Sequence, residues 1–337
     1  MRVLHRGTLI AVTGDTDLQG ERLSVVALHQ LAATMEQPQW MRTEHMMFLP
    51  PIGRTTNGRV RERDGQLEVV ADFEVFDPES YGLIHDLELA GDPIGTAEGD
   101  ATPAPSMPLT LDGPFARLAF DPYSTDAVAA RDAVQDAPPS VAVTAGMRRK
   151  GVAAIPVIAV TILGSSALAY FTKGFMTKLG EHAAETCIAA VREGVDYLKS
   201  ACAGLLNAPK QPGLQALHLD FRLPGSTSVS AYALNPSMEE VAGVLDSLPV
   251  LNAHLTHIEP EFQRVGIDAV TYEFDRATGA WYPRHFEGGT DKVYVTDTDR
   301  LKEMIQGIDL EHSAISVGFM VSDGKPEAGE GTNEERS

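Results

Sequence analysis

The densest group of chemically capable side chains lies near residue 254, where His254 and His257 have Glu259 and Glu261 close by. These are the residue types of a metal site. Two histidines at i and i+3 with no third ligand fixed by spacing hold a metal poorly, so no metal is assigned. Asp297-Thr-Asp299 follows the apolar run Val293-Tyr-Val295 and carries acids that suit a cation. A helix N-cap with acids in its first turn explains them fully. No G-x-x-x-x-G-K-(S/T), G-x-G-x-x-G or G-x-S-x-G is present, so nucleotide binding and α/β-hydrolase chemistry have no motif behind them, and no cofactor is expected. The two cysteines, Cys187 and Cys202, sit in one helix-like stretch. A helix would hold them about 22 Å apart, too far for a disulfide, so reduced thiols of a cytosolic protein are expected.

Composition narrows the partners. Lys and Arg number 27 against 47 Asp and Glu, a formal net charge of -20. That balance disfavours a nucleic-acid surface, which needs clustered cations to neutralise phosphates, and favours solubility. MRVLHRGTLIAV runs straight into GDTD without a basic region and an apolar core, so no secretion signal is expected.

The elements that must position any site are read from periodicity. Residues 2–12 are an apolar strand, and Leu23 to Met35 has helical spacing with Ser24 as its cap. Asp64-Gly65 is a hairpin signal, after which Leu67, Val69, Ala71, Phe73 and Val75 alternate with Glu68, Asp72 and Glu74. Pro78 to Leu89 reads as a short helix. From Ala90 to Ser140 the chain is rich in Pro, Gly, Ala and Asp, a long loop with a strand at Phe115–Phe120 and a short helix at Thr125–Gln135.

Residues 152–171 carry no charge and are long enough to span a bilayer, with Met147-Arg-Arg-Lys150 before them. Pro156, Gly164, Ser165 and Ser166 favour instead a buried strand from Ile155 to Leu163, a turn and a capped helix. Both readings stand. Next comes a long helix, whose stripe Leu168, Phe171, Phe175, Leu179, Cys187, Val191, Val195 and Leu198 is a packing face. After a linker at Asn207–Gly213, strands and helices mix: helices over MEEVAGVLDSL and from Ala253 to Val265, a hairpin with Trp281 in a core, and a last strand AISVGFMVS. The expected fold class is α+β: a β-rich domain at 1–165 with a long loop at 90–140, a long amphipathic helix at 166–207, an α+β domain at 214–322 and a disordered acidic tail at 323–337.

One ordered set of pieces resembles a known family. The first strand leads to Asp17-Leu-Gln-Gly-Glu21, a helix follows, then Glu44-His45, then Pro51-Ile-Gly-Arg54, then the Asp-Gly hairpin into the alternating strand. This order is similar to phage prohead (capsid-maturation) serine proteases, including the shorter XkdF-like proteases, over about residues 1–90 and by extension to 170. The resemblance implies a β-rich protease module in which a histidine, here His45, is the general base for a serine nucleophile on a downstream strand. The family's serine lies in a pattern like (L/I)-S-(I/V)-G-F. Where that would align, this chain has Asp92-Pro-Ile-Gly-Thr96, with Pro93 in the serine's place.

Two serines remain. Ser140, in Pro139-Ser-Val-Ala-Val143, is the first candidate if 90–139 is an insertion. Ser316, in Ala314-Ile-Ser-Val-Gly-Phe319, has the better local match but lies in another expected domain. Ala159 stands where the family's closing segment has an acid, so no third catalytic member is assigned. The implied function is a serine endopeptidase of phage or prophage origin that processes capsid or scaffold proteins, located in the host cytoplasm or the virion. Its alternatives are a non-catalytic assembly protein that self-associates through helix 166–206, and a membrane-anchored effector using 152–171.

Overall fold

The Asp64-Gly65 signal and the alternation after it build the first sheet. The computed structural model describes residues 3–13, 24–43, 49–87, 94–95, 113–120, 125–145, 157–163, 183–207, 209, 215–289, 291–296 and 315–317. Strands β3 (Gly53–Arg63) and β4 (Gln66–Val75) form an antiparallel hairpin. Asp64 and Gly65 hold φ of 52° and 77°, both left-handed, as the tight two-residue turn matched to strand twist requires. Strand β1 (Val3–Val12) pairs with the other side of β4, and β2 (Gln39–Thr43) pairs with β3. Helix α1 (Val25–Thr34) is capped by Ser24, whose Oγ accepts from Ala27 N–H at 3.1 Å. It buries Leu28 and Ala32 against Val69, Ala71 and Phe73 of β4 and Met41 of β2, a small separate core.

A second sheet has ten strands. Its strands are β5 (Gly82–Leu83), β6 (Ile94–Gly95), β7 (Ala116–Phe120), β8 (Val141–Ala145), β9 (Val157–Ile162), β10 (Ala216–Arg222), β11 (Ser228–Leu234), β12 (Ala269–Asp275), β13 (Ala280–Gly288) and β14 (Lys292–Val295). The order runs β5-β14-β13-β12-β11-β10-β9-β7-β8, with β6 paired to β13. Three of the four parallel pairs, β7/β8, β9/β10 and β11/β12, are each bridged by a helix: α2 (Ala127–Val134), α3 (Ala183–Leu206) and α4 (Met238–Val265). A parallel pair cannot close through a tight turn and needs such a crossover. Strand alternation does the rest. Leu217, Leu219 and Phe221 of β10 join Val191, Val195 and Leu198 of α3 and Val241, Val244 and Leu248 of α4 in one core. Residues of opposite parity on those strands turn to the other face.

Strand β15 (Ile315–Val317) does not join this second sheet. It pairs antiparallel with β2 and completes the first, in the order β1-β4-β3-β2-β15. The chain is thus α+β, and its two sheets divide it differently from the sequence reading. Strands β7–β9, expected with the N-terminal domain, lie in the sheet of β10–β14. The strand expected to close the C-terminal domain belongs to the N-terminal sheet. Sheet membership is a long-range choice that no local pattern encodes.

Smaller differences have local causes. Pro78–Leu89 is not one helix but two short 3-10 turns, Pro78–Ser80 and Ile84–Leu87, because Gly82 and Leu83 between them pair with β14. The two helices expected between 238 and 265 are one, with Pro249 and Pro260 inside it. Each proline removes one helical hydrogen bond. The unbroken burial of Val241, Val244, Leu245, Leu248, Leu251, Leu255 and Phe262 outweighs that loss. In the uncharged segment, Val157–Ile162 is the interior strand β9, and residues 164–171 lie outside the described residues. Among the described residues no helix is long and apolar enough to cross a membrane. The tail at 323–337 and the Asp297-Thr-Asp299 acids also fall outside them.

Candidate functional site

Strand β2 is the element that leads into His45, and two independent contacts fix it. On one side it pairs with β3, Met41 opposite Gly53 and Trp40 opposite Arg54. On the other it pairs with β15: Thr43 opposite Ile315, Arg42 opposite Ser316 and Met41 opposite Val317. The strand bearing the Ala314-Ile-Ser-Val-Gly-Phe319 pattern therefore lies against the strand that ends two residues before His45. His45 itself lies outside the described residues, as does the side chain of Ser316.

Arg42 ties this edge to the second sheet. Its guanidinium is buried, with Nη1 donating to the Leu49 carbonyl at 2.8 Å and Nη2 donating to Glu287 Oε1 at 2.5 Å. Residues 42 and 49 bracket the segment that contains His45, and Ile52 N–H donates to the Met41 carbonyl at 2.8 Å beside them. Glu287 and His285 stand on β13, on the face turned away from the helices. His285 Nε2 lies 3.0 Å from Glu287 Oε1, 3.1 Å from Thr271 Oγ1 and 3.5 Å from Arg42 Nη1.

Burial alone would raise the Glu287 carboxyl. The Arg42 charge and the His285 hydrogen bond outweigh it and hold the group at about 2. Burial pushes His285 below its ordinary value, and the nearby Arg42 charge adds to this against the pull of Glu287. The neutral imidazole with its proton on Nε2 donates to Glu287, which leaves Nδ1 as a buried acceptor without a hydrogen-bond partner among the described residues.

Apolar contacts seal the same junction. Trp40 meets Phe76 edge-on at 5.9 Å, Phe76 meets Tyr81 at 6.0 Å, and these pack with Val293 and Val295 of β14. Tyr81 donates its hydroxyl to the Pro51 carbonyl at 2.7 Å. Leu49 packs beside Val157, Ala159, Ala216 and Tyr232 on the helix-free face of the second sheet.

That face also holds His218, Asp220 and Ser230, the residue types of a hydrolytic triad. Their geometry does not make one. Ser230 Oγ lies 2.5 Å and Asp220 Oδ1 3.2 Å from the same ring nitrogen, His218 Nε2. A relay needs the serine on one nitrogen and the acid on the other. Tyr232 donates to Glu273 Oε2 at 3.1 Å and Arg284 pairs with the same carboxylate, so this row of polar groups is largely neutralised within the sheet.

Ser140 is elsewhere. It precedes β8, the far edge of the ten-stranded sheet, six strand spacings from β13 where Arg42 docks. At about 4.8 Å per spacing that is roughly 29 Å along the sheet. Its hydroxyl is buried under α3 and donates to the Ala190 carbonyl at 3.0 Å. The helix comes this close because residue 194 is glycine: a Cβ there would lie 2.5 Å from the Phe115 ring and 2.8 Å from Ser140 Oγ. Ser140 is thus buried between the start of β8 and α3.

The remaining sequence candidates have structural duties. Glu259 accepts from Gly225 N–H at 2.8 Å and Thr227 N–H at 3.1 Å, holding the β10–β11 turn, and Glu261 pairs with Arg264. His254 is half-buried in α4 and shifted down by burial and by His257. Among the described residues no group of three or more potential ligands is placed to hold a metal ion. Trp281 is fully buried, donating its indole N–H to Ser247 Oγ at 2.8 Å. The exposed faces of α3 are its charged residues. The described part of its apolar stripe is covered by the chain's own sheet.

Comparison with family models, with curated proteins and with solved structures finds no match to this chain.

Proposed function

We propose that this chain is a serine endopeptidase of the prohead-protease type, with His45 as general base and Ser316 as nucleophile. The single observation behind this is the pairing of β15 with β2. The serine of an Ile-Ser-Val-Gly-Phe run sits on the strand next to the one that enters His45, although the sequence separates them by most of the chain. On this reading Pro93 is no lost nucleophile. The whole ten-stranded α+β unit is an insertion between the histidine and the serine of one five-stranded module.

The chemistry is acyl transfer. Ser316 Oγ attacks the scissile carbonyl carbon while His45 takes its proton, and the C–N bond breaks as His45 returns that proton to the leaving amine. Water, deprotonated by the same histidine, then releases the acyl group and regenerates the serine. Capsid or scaffold proteins of a phage or phage-like particle are the substrates the resemblance implies.

The test is labelling of the purified chain with a fluorophosphonate probe, alongside cleavage of co-expressed scaffold or of the chain itself. Ser316→Ala and His45→Ala should each abolish labelling and cleavage. Retained labelling in Ser316→Ala would remove this assignment, and an unlabelled wild-type chain that still assembles with capsid proteins would favour a non-catalytic assembly role.

A further inference from the structure

We infer that the contact between the two sheets is an acid-sensitive latch: a proton on His285 releases the five-stranded sheet from the ten-stranded one, and each keeps its own core. The cores are separate to begin with. Leu28, Met41, Val69, Ala71 and Phe73 belong to the first, and the second sheet packs against its helices without them. The described junction is made of Leu49 on the helix-free face, the group of Trp40, Phe76, Tyr81, Val293 and Val295, and the buried polar set Arg42, His285, Glu287 and Thr271.

The polar set accommodates one cation and not two. Arg42 Nη2 donates to Glu287 Oε1 at 2.5 Å, and His285 Nε2 donates to that same oxygen at 3.0 Å. A second proton on the imidazole would sit on Nδ1, which is buried and has no hydrogen-bond partner among the described residues. It would also set a positive ring, fully buried, 3.5 Å from Arg42 Nη1. A buried N–H without an acceptor beside a like charge is costly, and water relieves both once β2 leaves β13. The charged groups acting on the ring are Glu287 and Arg42. Strand β12 contributes the uncharged Thr271, Val295 of β14 stands opposite His285 in register, and Glu273 and Arg284, next along β12 and β13, pair with each other.

The direction of the pH effect follows. In the docked state burial holds the imidazole below its ordinary 6.5, with Arg42 adding to it against the pull of Glu287. The stability that docking draws from the neutral ring is therefore complete above 6.5 and is lost as pH falls below it. Glu287 is not the trigger in that range, because Arg42 and His285 overcome burial and hold its carboxyl at about 2.

The test is thiol labelling of the full chain carrying Cys187→Ser and Val293→Cys, with iodoacetamide uptake read peptide by peptide by mass spectrometry. Val293 is buried in the junction and Cys202 in the core under the helices, so the introduced thiol reports undocking and Cys202 reports opening of that core. Dividing each rate by that of a free thiol peptide at the same pH removes the ordinary titration of the thiol. From pH 7.5 to 5.5 the normalised rate at position 293 should rise about tenfold, the ratio for a group of ordinary value 6.5 that stays neutral while docked. The rate at Cys202 should stay within twofold.

His285→Gln should abolish the rise, since glutamine keeps a donor for Glu287 and takes up no proton. Arg42→Met should abolish it too: without the guanidinium, Glu287 holds a protonated His285 as an ion pair, and acid no longer drives the sheets apart. Circular dichroism and melting temperatures establish that the variants are folded. A folded chain with a flat rate at position 293, a rise shared equally by Cys202, or a rise that persists in His285→Gln would each overturn the inference.

Discussion

Arg42 is the register partner of Ser316 across the β2–β15 pair, and its side chain donates to a buried carboxylate, Glu287, on a different sheet. One residue thus joins the five-stranded sheet to the ten-stranded sheet. Several measurable consequences follow from this junction and from the packing around the two candidate serines.

Ser140→Ala should leave probe labelling and substrate cleavage unchanged. Its hydroxyl contributes one hydrogen bond to Ala190, so its loss should cost about 1 kcal/mol, seen as a small drop in the denaturant midpoint. A large loss of labelling in a folded Ser140→Ala chain would return that serine to candidacy.

Gly194→Ala should destabilise by about 1–3 kcal/mol, since the added methyl meets the Phe115 ring and Ser140 Oγ at distances that force the helix off the sheet. Chemical denaturation followed by circular dichroism measures this. The double variant Gly194→Ala, Ser140→Ala should recover little, because the ring contact remains.

Acid should weaken the fold through the junction. Glu287 has a folded value near 2, below its ordinary 4.5, so the stability it contributes is complete above about 4.5 and is lost as pH falls from there toward 2. His285 is also depressed in the folded chain, so its contribution is present above its ordinary 6.5 and is lost as pH falls below that. Denaturant midpoints measured from pH 7 to pH 3 should fall in both windows. Glu287→Gln should flatten the more acidic part of the curve, and His285→Gln the part that begins near 6.5.

Cys202 should be silent toward thiol reagents in the native chain. It is completely buried under the helix layer, and burial pushes its thiol up to about 12, so almost no thiolate is present at neutral pH. In a Cys187→Ser background, Ellman's reagent should report no fast thiol until denaturant is added, and then one per chain.

Some features could be read without the fold because their causes lie within a few residues. Asp64-Gly65 makes its turn because those two residues tolerate positive φ, Ser24 caps α1 because its hydroxyl reaches three residues on, and Trp281 is core because a large apolar ring gains most by leaving water. The α+β class follows from the same local patterns. What the sequence left open was every choice between distant partners. Whether β15 completes the first sheet or the second depends on which strand edge is free, and a three-residue apolar strand suits either.

Ser140 and Ser316 looked comparable as isolated residues. They differ because one hydroxyl is buried against a helix carbonyl and the other strand lies beside the one entering His45. The Arg42–Glu287 pair was likewise invisible, since a charge on a strand normally signals solvent, and only docking of one sheet on the other removes both groups from water. Local conformation was written in residue types and spacing. The candidate site was not, because hydrogen-bond register and desolvation are properties of segments brought together from opposite ends of the chain.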